Sequence, residues 1–227
     1  MCFFEVSEME KVRNRKDAVV AFAAVLVLVL IFVGIYVQSQ PRLYPGEVRE
    51  YQGENLSSIS DVQENAIRGN QFVNESTYRL SVTGLVNQTK VYTYSQVLNG
   101  FQNYEKVVTL YCVEGWNAEI LWEGVLVRDL LNASSVSDTA KVVIFHAQDG
   151  YTTSLPLSYF YDNNIILAYK MNRLVLPDEK GFPFQLVAES KYGYKWIKWV
   201  TEIEVSDNEN YLGYWESRGN SNSADVG

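Results

Sequence analysis

Cysteine and histidine are scarce in this sequence of 227 residues, which contains 2 cysteines and 1 histidine. Neither H-E-x-x-H nor C-x-x-C occurs, so the sequence argues against a zinc site made from its own side chains. It also contains no Walker phosphate loop, no G-x-S-x-G and no G-x-G-x-x-G. These absences remove the usual signatures of nucleotide binding and of serine hydrolases. The lone His146 also argues against a haem held by this chain.

Positive charge is in deficit, because the formal net charge is -8. Acidic and basic side chains balance within residues 1–37, so the whole excess of negative charge lies in residues 38–227. An acidic domain repels phosphate backbones, which excludes nucleic acid as the expected partner. Apolar residues, by contrast, make up 47% of the chain, with 16 tyrosines, 10 phenylalanines and 5 tryptophans. Such a composition predicts a folded domain with a real core.

Residues 18–37 form a continuous apolar run without a charged side chain. At ~1.5 Å per helical residue, the run covers the ~30 Å hydrocarbon thickness of a bilayer. Basic residues cluster between positions 11 and 16. The positive-inside rule therefore predicts a cytoplasmic N-terminus, contact with membrane lipid through 18–37, and an extracytoplasmic domain. A cleaved signal peptide and a buried core helix are the alternative interpretations.

The two cysteines lie on either side of this run, Cys2 before it and Cys112 far beyond it. If the run spans a membrane they cannot pair, so we expect a free thiol at Cys112. Cys112 ends the β-branched run 106–112, and Gly115 follows, which allows a tight turn. Two interpretations are open: an inert buried cysteine, or a thiolate stabilised by a metal or by positive charge.

The segment Lys191–Trp199 is basic and aromatic within an otherwise acidic domain. Its lysines and its Gly turn are suited to an anionic ligand, through ammonium and backbone N–H groups. The alternative is a solvated edge strand protected by lysines. His146 lies in the apolar stretch 140–148, where a hydrogen-bonded strand histidine is the simple interpretation.

The domain organisation follows from these shifts in composition. We expect a cytoplasmic N-terminus over 1–17, a transmembrane helix over 18–37, a polar linker over 38–75 with a short helix near 59–68, and one globular domain over 76–227. Within the domain, alternation and β-branched runs predict strands at 78–86, 106–112, 140–148, 165–172, 183–190 and 195–207. Helical spacing predicts helices at 93–101 and 126–134, a turn or helix at 154–162, and a loop at 173–181. The mixture lacks a regular βαβ rhythm, so the fold class is α+β with a mixed β-sheet.

Six motifs occur in an order that resembles the molybdopterin-binding oxidoreductase domain of the sulfite oxidase family. They are C-V-E-G-W at Cys112–Trp116, W-E-G-V-x-x-x-D-L-L at Trp122–Leu131, F-H-A-x-D-G-Y-x-T-S-L-P-L at Phe145–Leu157, L-A-Y-x-M-N-x-x-x-L-P-x-x-x-G-F-P at Leu167–Pro183, K-Y-G-Y-K-x-I-K-W at Lys191–Trp199, and G-Y-W-E-x-R-G at Gly213–Gly219. Within the family, the sequence is most similar to the catalytic subunit of the periplasmic protein-methionine-sulfoxide reductase and its prokaryotic relatives. The resemblance covers about residues 76–219.

The resemblance implies a molybdopterin cofactor carrying molybdenum, or alternatively tungsten, with Cys112 as catalytic residue and metal ligand. It implies that the pterin phosphate lies against the segment that contains Lys191, Tyr192, Gly193, Lys195 and Lys198. It further implies that a second segment lines the pterin; its residues are His146, Asp149, Tyr151 and Ser154. Asn117, which follows the cysteine motif, is expected near the metal. The expected fold is therefore a mixed-sheet, sulfite oxidase-type α+β domain behind an N-terminal transmembrane helix.

Departures from the family pattern narrow the expected activity. Sulfite oxidases carry arginines after the metal cysteine, whereas Val113 and Glu114 follow Cys112 here. They also carry a tyrosine five residues after the tryptophan of the last motif, where this sequence has Asn220. We therefore expect oxygen-atom transfer in the direction of S-oxide or N-oxide reduction, on a small molecule or a protein, with electrons from a membrane haem or quinone protein. The alternative is a non-catalytic extracytoplasmic binding domain that retains the fold.

Overall fold

The computed structural model describes residues 19–20, 22–36 and 44–227. Tyr44–Gly227 forms one compact unit, and the described residues before it, 19–20 and 22–36, are helical and belong to a separate unit. No helix in the described ranges is long and apolar enough to cross a bilayer. The predictions for 1–17, for positions 18, 21 and 37 of the apolar run, and for 38–43 lie outside the described residues.

The compact unit is built from short strands, three helices and several 3-10 turns. The strands are β1 (Glu50–Tyr51), β2 (Glu54–Asn55), β3 (Leu80–Gly84), β4 (Lys90–Tyr92), β5 (Asn103–Tyr111), β6 (Asn117–Leu126), β7 (Val142–Ala147), β8 (Thr152–Pro156), β9 (Ile166–Met171), β10 (Leu174–Val175), β11 (Gln185–Val187) and β12 (Val200–Ser206). The helices are α1 (Tyr94–Gly100), α2 (Val127–Ser134) and α3 (Leu157–Asp162). The 3-10 turns are Ile59–Asp61, Asp178–Lys180, Gly193–Lys195 and Glu216–Arg218.

One sheet has the order β10-β9-β6-β5, with β11 also paired to β9, and all of these pairs are antiparallel. Strand β6 is the centre of this sheet and is buried over most of its length. Gly124 lies where β9 approaches most closely, since a Cβ there would lie 2.2 Å from the carbonyl oxygen of Leu167. The strand is therefore held by a backbone contact that only glycine permits.

A second five-stranded sheet has the order β4-β3-β12-β7-β8 and is mixed, because β12 runs parallel to β3 and antiparallel to β7; β1 and β2 form a separate two-stranded sheet. Strand β12 follows the alternation expected of a sheet with one buried face: Ile203 and Val205 are buried, while Glu202 and Glu204 are partly exposed. Buried apolar side chains from both sheets and from α2 join in a single core. The mixed α+β architecture agrees with the fold class expected from the sequence.

Most of the predicted elements form, with several differences. Strand β4 was not predicted, and β8 extends to Pro156, within the stretch 154–162 where a turn or helix was predicted. Strand β6 was not predicted, because burial on both faces removes the alternation that marks a half-buried strand. The strand predicted over 195–207 is shorter, since only Val200–Ser206 pairs and the residues before it form a turn and a loop. The loop predicted over 173–181 contains the short strand β10 and the 3-10 turn Asp178–Lys180.

The stretch from Tyr44 to residue 75 differs from the linker predicted over 38–75, because it belongs to the compact unit. Ile59 is fully buried, in a single 3-10 turn where a short helix was predicted. The Glu47 carboxylate accepts hydrogen bonds from Ser58 Oγ at 2.6 Å and from Ile59 N at 2.8 Å. The backbone N–H of Ser57 donates to Glu119 O at 2.8 Å. Polar composition suggested a linker, but the Glu47 bonds fold the segment on itself and the Ser57 bond attaches it to β6.

Candidate active site

A cavity of about 610 Å³ lies inside the compact unit. Four parts of the chain supply most of its wall: residues 62–67, the turn after β5, the segment 193–199, and residues 214–220. The cavity therefore lies at the end of β5, where the turn of one sheet meets the loop that leads into β12 of the other. Its position joins the Cys112 motif to the Lys191–Trp199 segment.

Cys112 is half-buried in the turn between β5 and β6 and lines this cavity. The turn is tight, because Cys112 N donates to Trp116 O at 2.9 Å and Gly115 N donates to Cys112 O at 3.1 Å. Gly115 has φ 93°, a conformation that glycine adopts without strain. The sulfur is thus presented at a fixed point of the cavity wall.

The electrostatic surroundings of Cys112 favour the neutral thiol. Burial raises its pKa, and the carboxylate of Glu114, with Oε2 3.8 Å from Sγ, raises it further. The backbone groups of the turn act in the opposite direction. Among the groups that shift this pKa, none is a lysine or an arginine. A thiolate at this position therefore needs a cation supplied from outside the chain, such as a bound metal.

Two lysines line the cavity away from this carboxylate. Lys198 Nζ donates to the carbonyl of Glu179 at 2.9 Å, and burial lowers the pKa of Lys198 to about 8. Lys180 is buried; its ammonium donates to Val62 O and forms an ion pair with Glu64 at 3.0 Å. The groups that act on Lys198 include Lys180 and nearby carboxylates but not Glu114. The cavity wall therefore carries the two ammonium groups with the Glu64 carboxylate in one part and the Glu114 carboxylate beside the sulfur.

The other lysines of the predicted anion-binding segment serve different partners. Lys195 is fully buried, and its Nζ donates to Glu216 Oε1 at 2.5 Å, to Ser154 O at 2.8 Å and to Asn222 Oδ1 at 3.1 Å. Lys191 forms an ion pair with Asp225. Neither lysine lines the cavity. Both bind the C-terminal residues to the 191–195 segment, so the structure gives them a structural position where the sequence predicted contact with phosphate.

The remaining predicted residues divide in the same way. Gly193, Asp149 and Tyr151 line the cavity, and the hydroxyl of Tyr151 donates to Tyr194 O at 2.5 Å. The others do not line it: Asn117, which is exposed, Ser154, which is buried, and the half-buried His146 and Tyr192.

Each of these four residues has another environment. His146 Nε2 lies 2.8 Å from Glu204 Oε2, on the neighbouring strand β12. Ser154 Oγ donates to Tyr211 O at 3.2 Å, and Tyr192 N donates to Ala224 O at 2.8 Å. Asn117 begins β6, opposite Tyr111 of β5. Closeness in sequence to Cys112 or to Gly193 was therefore not a sufficient guide to the cavity.

Several cavity residues were not predicted as site residues. They include Lys180, Gln185, Trp116, Tyr214, Trp215 and Asn220. The family motifs include Trp116, Lys180 and Trp215, and one of them ends close to Gln185. The motifs could therefore have indicated these residues. Residues 62–67 carried no signal, because they lie in the segment predicted as a linker.

The cavity can be tested against the size and chemistry of a pterin cofactor. Its aromatic wall includes Trp116, Trp196 and Trp199, and planar rings suit a planar heterocycle. The indole Nε1 of Trp116 is buried and has no hydrogen-bond partner among the described residues. The cavity wall thus carries a soft sulfur ligand from Cys112, the ammonium groups of Lys180 and Lys198, and the unpaired indole N–H of Trp116. These residues fit a metal-bearing pterin with an anionic phosphate.

Comparison with known proteins identifies the class. Residues 68–215 match the family described as the oxidoreductase molybdopterin binding domain. The chain therefore belongs to this family, it is an oxidoreductase, and its cofactor is molybdopterin with molybdenum. The family resemblance and the cofactor expected from the sequence are confirmed.

Individual relatives are similar over most of the compact unit. The chain is 36% identical over 143 residues to the uncharacterized oxidoreductase YuiH of Bacillus subtilis, a match that covers 63% of this chain and 71% of that protein. It is 32% identical over 158 residues to the putative protein-methionine-sulfoxide reductase subunit YedZ1 of Azospira oryzae, covering 68% of this chain and 60% of that protein. Human mitochondrial sulfite oxidase is 28% identical over 171 residues, which cover 63% of this chain and only 31% of the human protein.

A solved structure supports the fold alone. The crystal structure of the sulfane dehydrogenase SoxCD from Paracoccus pantotrophus superposes with a TM-score of 0.61 at 24% sequence identity. The superposition covers 63% of this chain and 42% of that chain. The mixed-sheet architecture is thus that of the sulfite oxidase-type domain.

Proposed function

We propose that this chain is a membrane-anchored oxidoreductase that reduces S-oxides or N-oxides by oxygen-atom transfer, with Cys112 as the protein ligand of the metal. The observation that most supports this is the single cavity that Cys112 shares with Lys180 and Lys198. Thiolates are soft ligands, and ammonium groups bind phosphate. When bound, molybdopterin supplies the exchange of an oxygen atom and two electrons at the metal.

The residues of this chain contribute position and electrostatics. Cys112 would hold the metal from a turn fixed by its own backbone hydrogen bonds. Lys180 and Lys198 would hold the anionic end, and the Gly193 backbone would pass close to the cofactor because no side chain intervenes. Asp149 and Tyr151 line the same cavity and complete the set of predicted residues that we retain in the proposal.

The direction of the reaction is inferred from the charge beside the sulfur. An anion such as sulfite or nitrate would approach the Glu114 carboxylate, whose Oε2 lies 3.8 Å from Cys112 Sγ, and would be repelled by it. A neutral S-oxide or N-oxide has no such penalty. The name of the Azospira relative, a putative protein-methionine-sulfoxide reductase subunit, is consistent with this choice.

Metal analysis of protein purified from its native host tests the central bond. We expect stoichiometric molybdenum in the wild type, loss of the metal in Cys112→Ser, and full retention in Cys2→Ser, which changes the chain's other cysteine. Circular dichroism of each variant separates metal loss from unfolding. A folded native sample without molybdenum or tungsten would leave the non-catalytic binding domain as the better interpretation. Full metal content in Cys112→Ser would remove the proposed ligand.

Membrane attachment rests on the sequence, through the uncharged run 18–37 and the basic cluster before it. We propose a cytoplasmic N-terminus, an extracytoplasmic domain, and a membrane haem or quinone protein as electron donor. Alkaline extraction of native membranes and protease treatment of intact cells test this topology. Release of the full chain by alkali, or protection of the domain in intact cells together with cleavage in lysed cells, would contradict it.

A further inference from the structure

Four N-x-[ST] tripeptides occur in the compact unit, and the proposed function does not use them. They begin at Asn55, Asn74, Asn87 and Asn132. This tripeptide is the acceptor for N-linked glycosylation in chains that leave the cytoplasm, where it marks a surface position. These four asparagines do not line the cavity. A glycan on any of them would therefore leave the cavity wall unchanged.

Exposure divides the four tripeptides into two pairs. The exposed tripeptides are 74–76 and 87–89, in which all three residues are exposed. The buried tripeptides are 55–57 and 132–134, in which the middle residue or the hydroxyl residue is buried. A transferase that acts on the folded domain has to contact the hydroxyl residue as well as the asparagine. Of the two pairs, the exposed tripeptides permit this contact.

The buried tripeptides use their hydroxyl groups inside the fold. Ser134 is fully buried, and its Oγ donates to Leu130 O at 3.2 Å within α2. Ser57 Oγ accepts a hydrogen bond from Glu119 N, in β6, at 3.0 Å. An enzyme would have to break these contacts before it could bind either hydroxyl. The fold therefore protects these two tripeptides from modification.

The exposed tripeptides keep their amide nitrogens available. Asn74 Oδ1 accepts hydrogen bonds from Ser76 Oγ at 2.8 Å and from Ser76 N at 3.0 Å, whereas Asn74 Nδ2 donates to no described residue. Asn87 is fixed through its backbone, because Asn87 N donates to Ser135 O at 2.9 Å. Its exposed carboxamide makes no hydrogen bond within 44–227, the described part of the domain. Each turn thus offers an unpaired amide nitrogen together with an exposed hydroxyl.

We propose that Asn74 and Asn87 are N-glycosylated, with a lipid-linked oligosaccharide as the donor. The inference rests on the extracytoplasmic placement of the domain in the proposed function. In the reaction, Nδ2 of the asparagine forms a bond to C1 of the first sugar and loses a proton. The bond between C1 and the oxygen of the lipid phosphate breaks, and the lipid phosphate leaves with the electron pair. The transfer therefore needs neither an oxidant nor a reductant.

Peptide mass spectrometry of the full chain, purified from membranes of its native host, tests the assignment. Trypsin cleaves after lysine and arginine, so it places each tripeptide in a peptide of its own: 50–68, 69–79, 80–90 and 129–141. We expect the added mass of an oligosaccharide on 69–79, which contains Asn74, and on 80–90, which contains Asn87. The other two peptides should have unmodified masses.

The hydroxyl residues provide matched variants. Ser76→Ala and Thr89→Ala should each lose the glycan at that site alone. Ser76→Thr and Thr89→Ser should keep it, because either hydroxyl completes the acceptor tripeptide. The molybdenum content should be equal in all four variants and the wild type, since these two residues do not line the cavity.

Three results would overturn the proposal, and they separate it from the proposed function. Unmodified peptides 69–79 and 80–90, from cells in which added protease cleaves the domain, would refute the glycosylation and leave the proposed function intact. A domain that is protected in intact cells and cleaved in lysed cells would refute the extracytoplasmic placement and the glycosylation together. A glycan that persists in Ser76→Ala and in Thr89→Ala would refute the two acceptors assigned here.

Discussion

The change Lys195→Met should unfold the domain more readily, although the sequence suggests a lysine that binds a ligand. Lys195 Nζ donates to Glu216 Oε1, to Ser154 O and to Asn222 Oδ1 inside the protein. Burial lowers the pKa of Lys195, and the Glu216 carboxylate opposes that shift. The lysine therefore stays in place because a buried carboxylate accompanies it.

Removal of the lysine leaves Glu216 in an unfavourable state. Its Oε2 already has no partner among the described residues, and Oε1 would keep only the hydroxyl of Thr153, at 2.6 Å. Breaking a buried ion pair from one side costs about 3–5 kcal/mol, because a buried charge is left without compensation. That is a large part of the ~5–15 kcal/mol by which domains are stable.

Urea unfolding of the cofactor-free full chain, followed by tryptophan fluorescence, measures this loss. We expect a fall of about 3–5 kcal/mol in the free energy of unfolding for Lys195→Met. The double variant Lys195→Met with Glu216→Leu should recover most of it, since apolar replacement of a buried pair is often neutral. Lys198→Met is the comparison, because Lys198 lines the cavity and donates to a carbonyl group, and there we expect less than about 1 kcal/mol.

The opposite pattern would refute the reasoning. If Lys195→Met unfolds at the wild-type urea concentration and loses only molybdopterin, then Lys195 acts as an anion ligand, as the sequence suggested. If the double variant is no more stable than the single one, the cost does not come from the unpaired Glu216.

Three further predictions concern other parts of the domain. The pKa of Lys198, about 8, lies below the 10.5 of an unburied lysine, so the unfolded chain binds more protons between these values. The contribution of Lys198 to the free energy of unfolding should therefore increase as pH rises from 8 to 10.5. This increase should be absent in Lys198→Met, and the same dependence of unfolding free energy on pH in wild type and variant would contradict the prediction. Gly124→Ala should cost more than ~3 kcal/mol, because its Cβ would lie 2.2 Å from Leu167 O, and an unchanged Tm would disprove the contact. Glu47→Ala should cost ~1–2 kcal/mol by removing the acceptor of Ser58 Oγ, and urea unfolding equal to wild type would show that this hydrogen bond does not stabilise the 44–67 segment.

Local patterns in the sequence were sufficient for much of the fold. The capping box at the start of α1, in which Thr93 and Gln96 bond each other's backbone, lies where helical spacing predicted a helix. The alternation in β12 is equally plain over Val200–Ser206. The alternation gave a wrong prediction just upstream of β12. There the alternating tryptophans and lysines, predicted as strand, form the loop that lines the cavity. There the apolar side chains pack in the core because of tertiary contacts, such as that of Trp196 with Trp122 at 5.7 Å, and not because of strand pairing.

The site was only partly predictable, because its charges are paired across long sequence distances. Nothing near Lys195 indicates that Glu216 will neutralise it, and nothing near Lys191 indicates Asp225. Conversely, the sequence around Lys180 does not indicate that this residue lies beside Lys198, because it occurs in the acidic stretch Asp178–Lys180. The motif order indicated which segments meet, whereas the choice of side chains that face the cavity depends on turns and pairings formed by the whole chain.

The parallel pairing of β12 with β3 has a consequence for synthesis. Ser81 lies opposite Glu202, so β3 can pair with β12 only after β12 has been synthesised, more than half a chain later. The cavity-lining residues 193–199 directly precede β12, so they too are translated long after β3. A ligand that occupies this cavity must therefore be taken up after β12 has been synthesised, in the compartment where this strand is inserted beside β3.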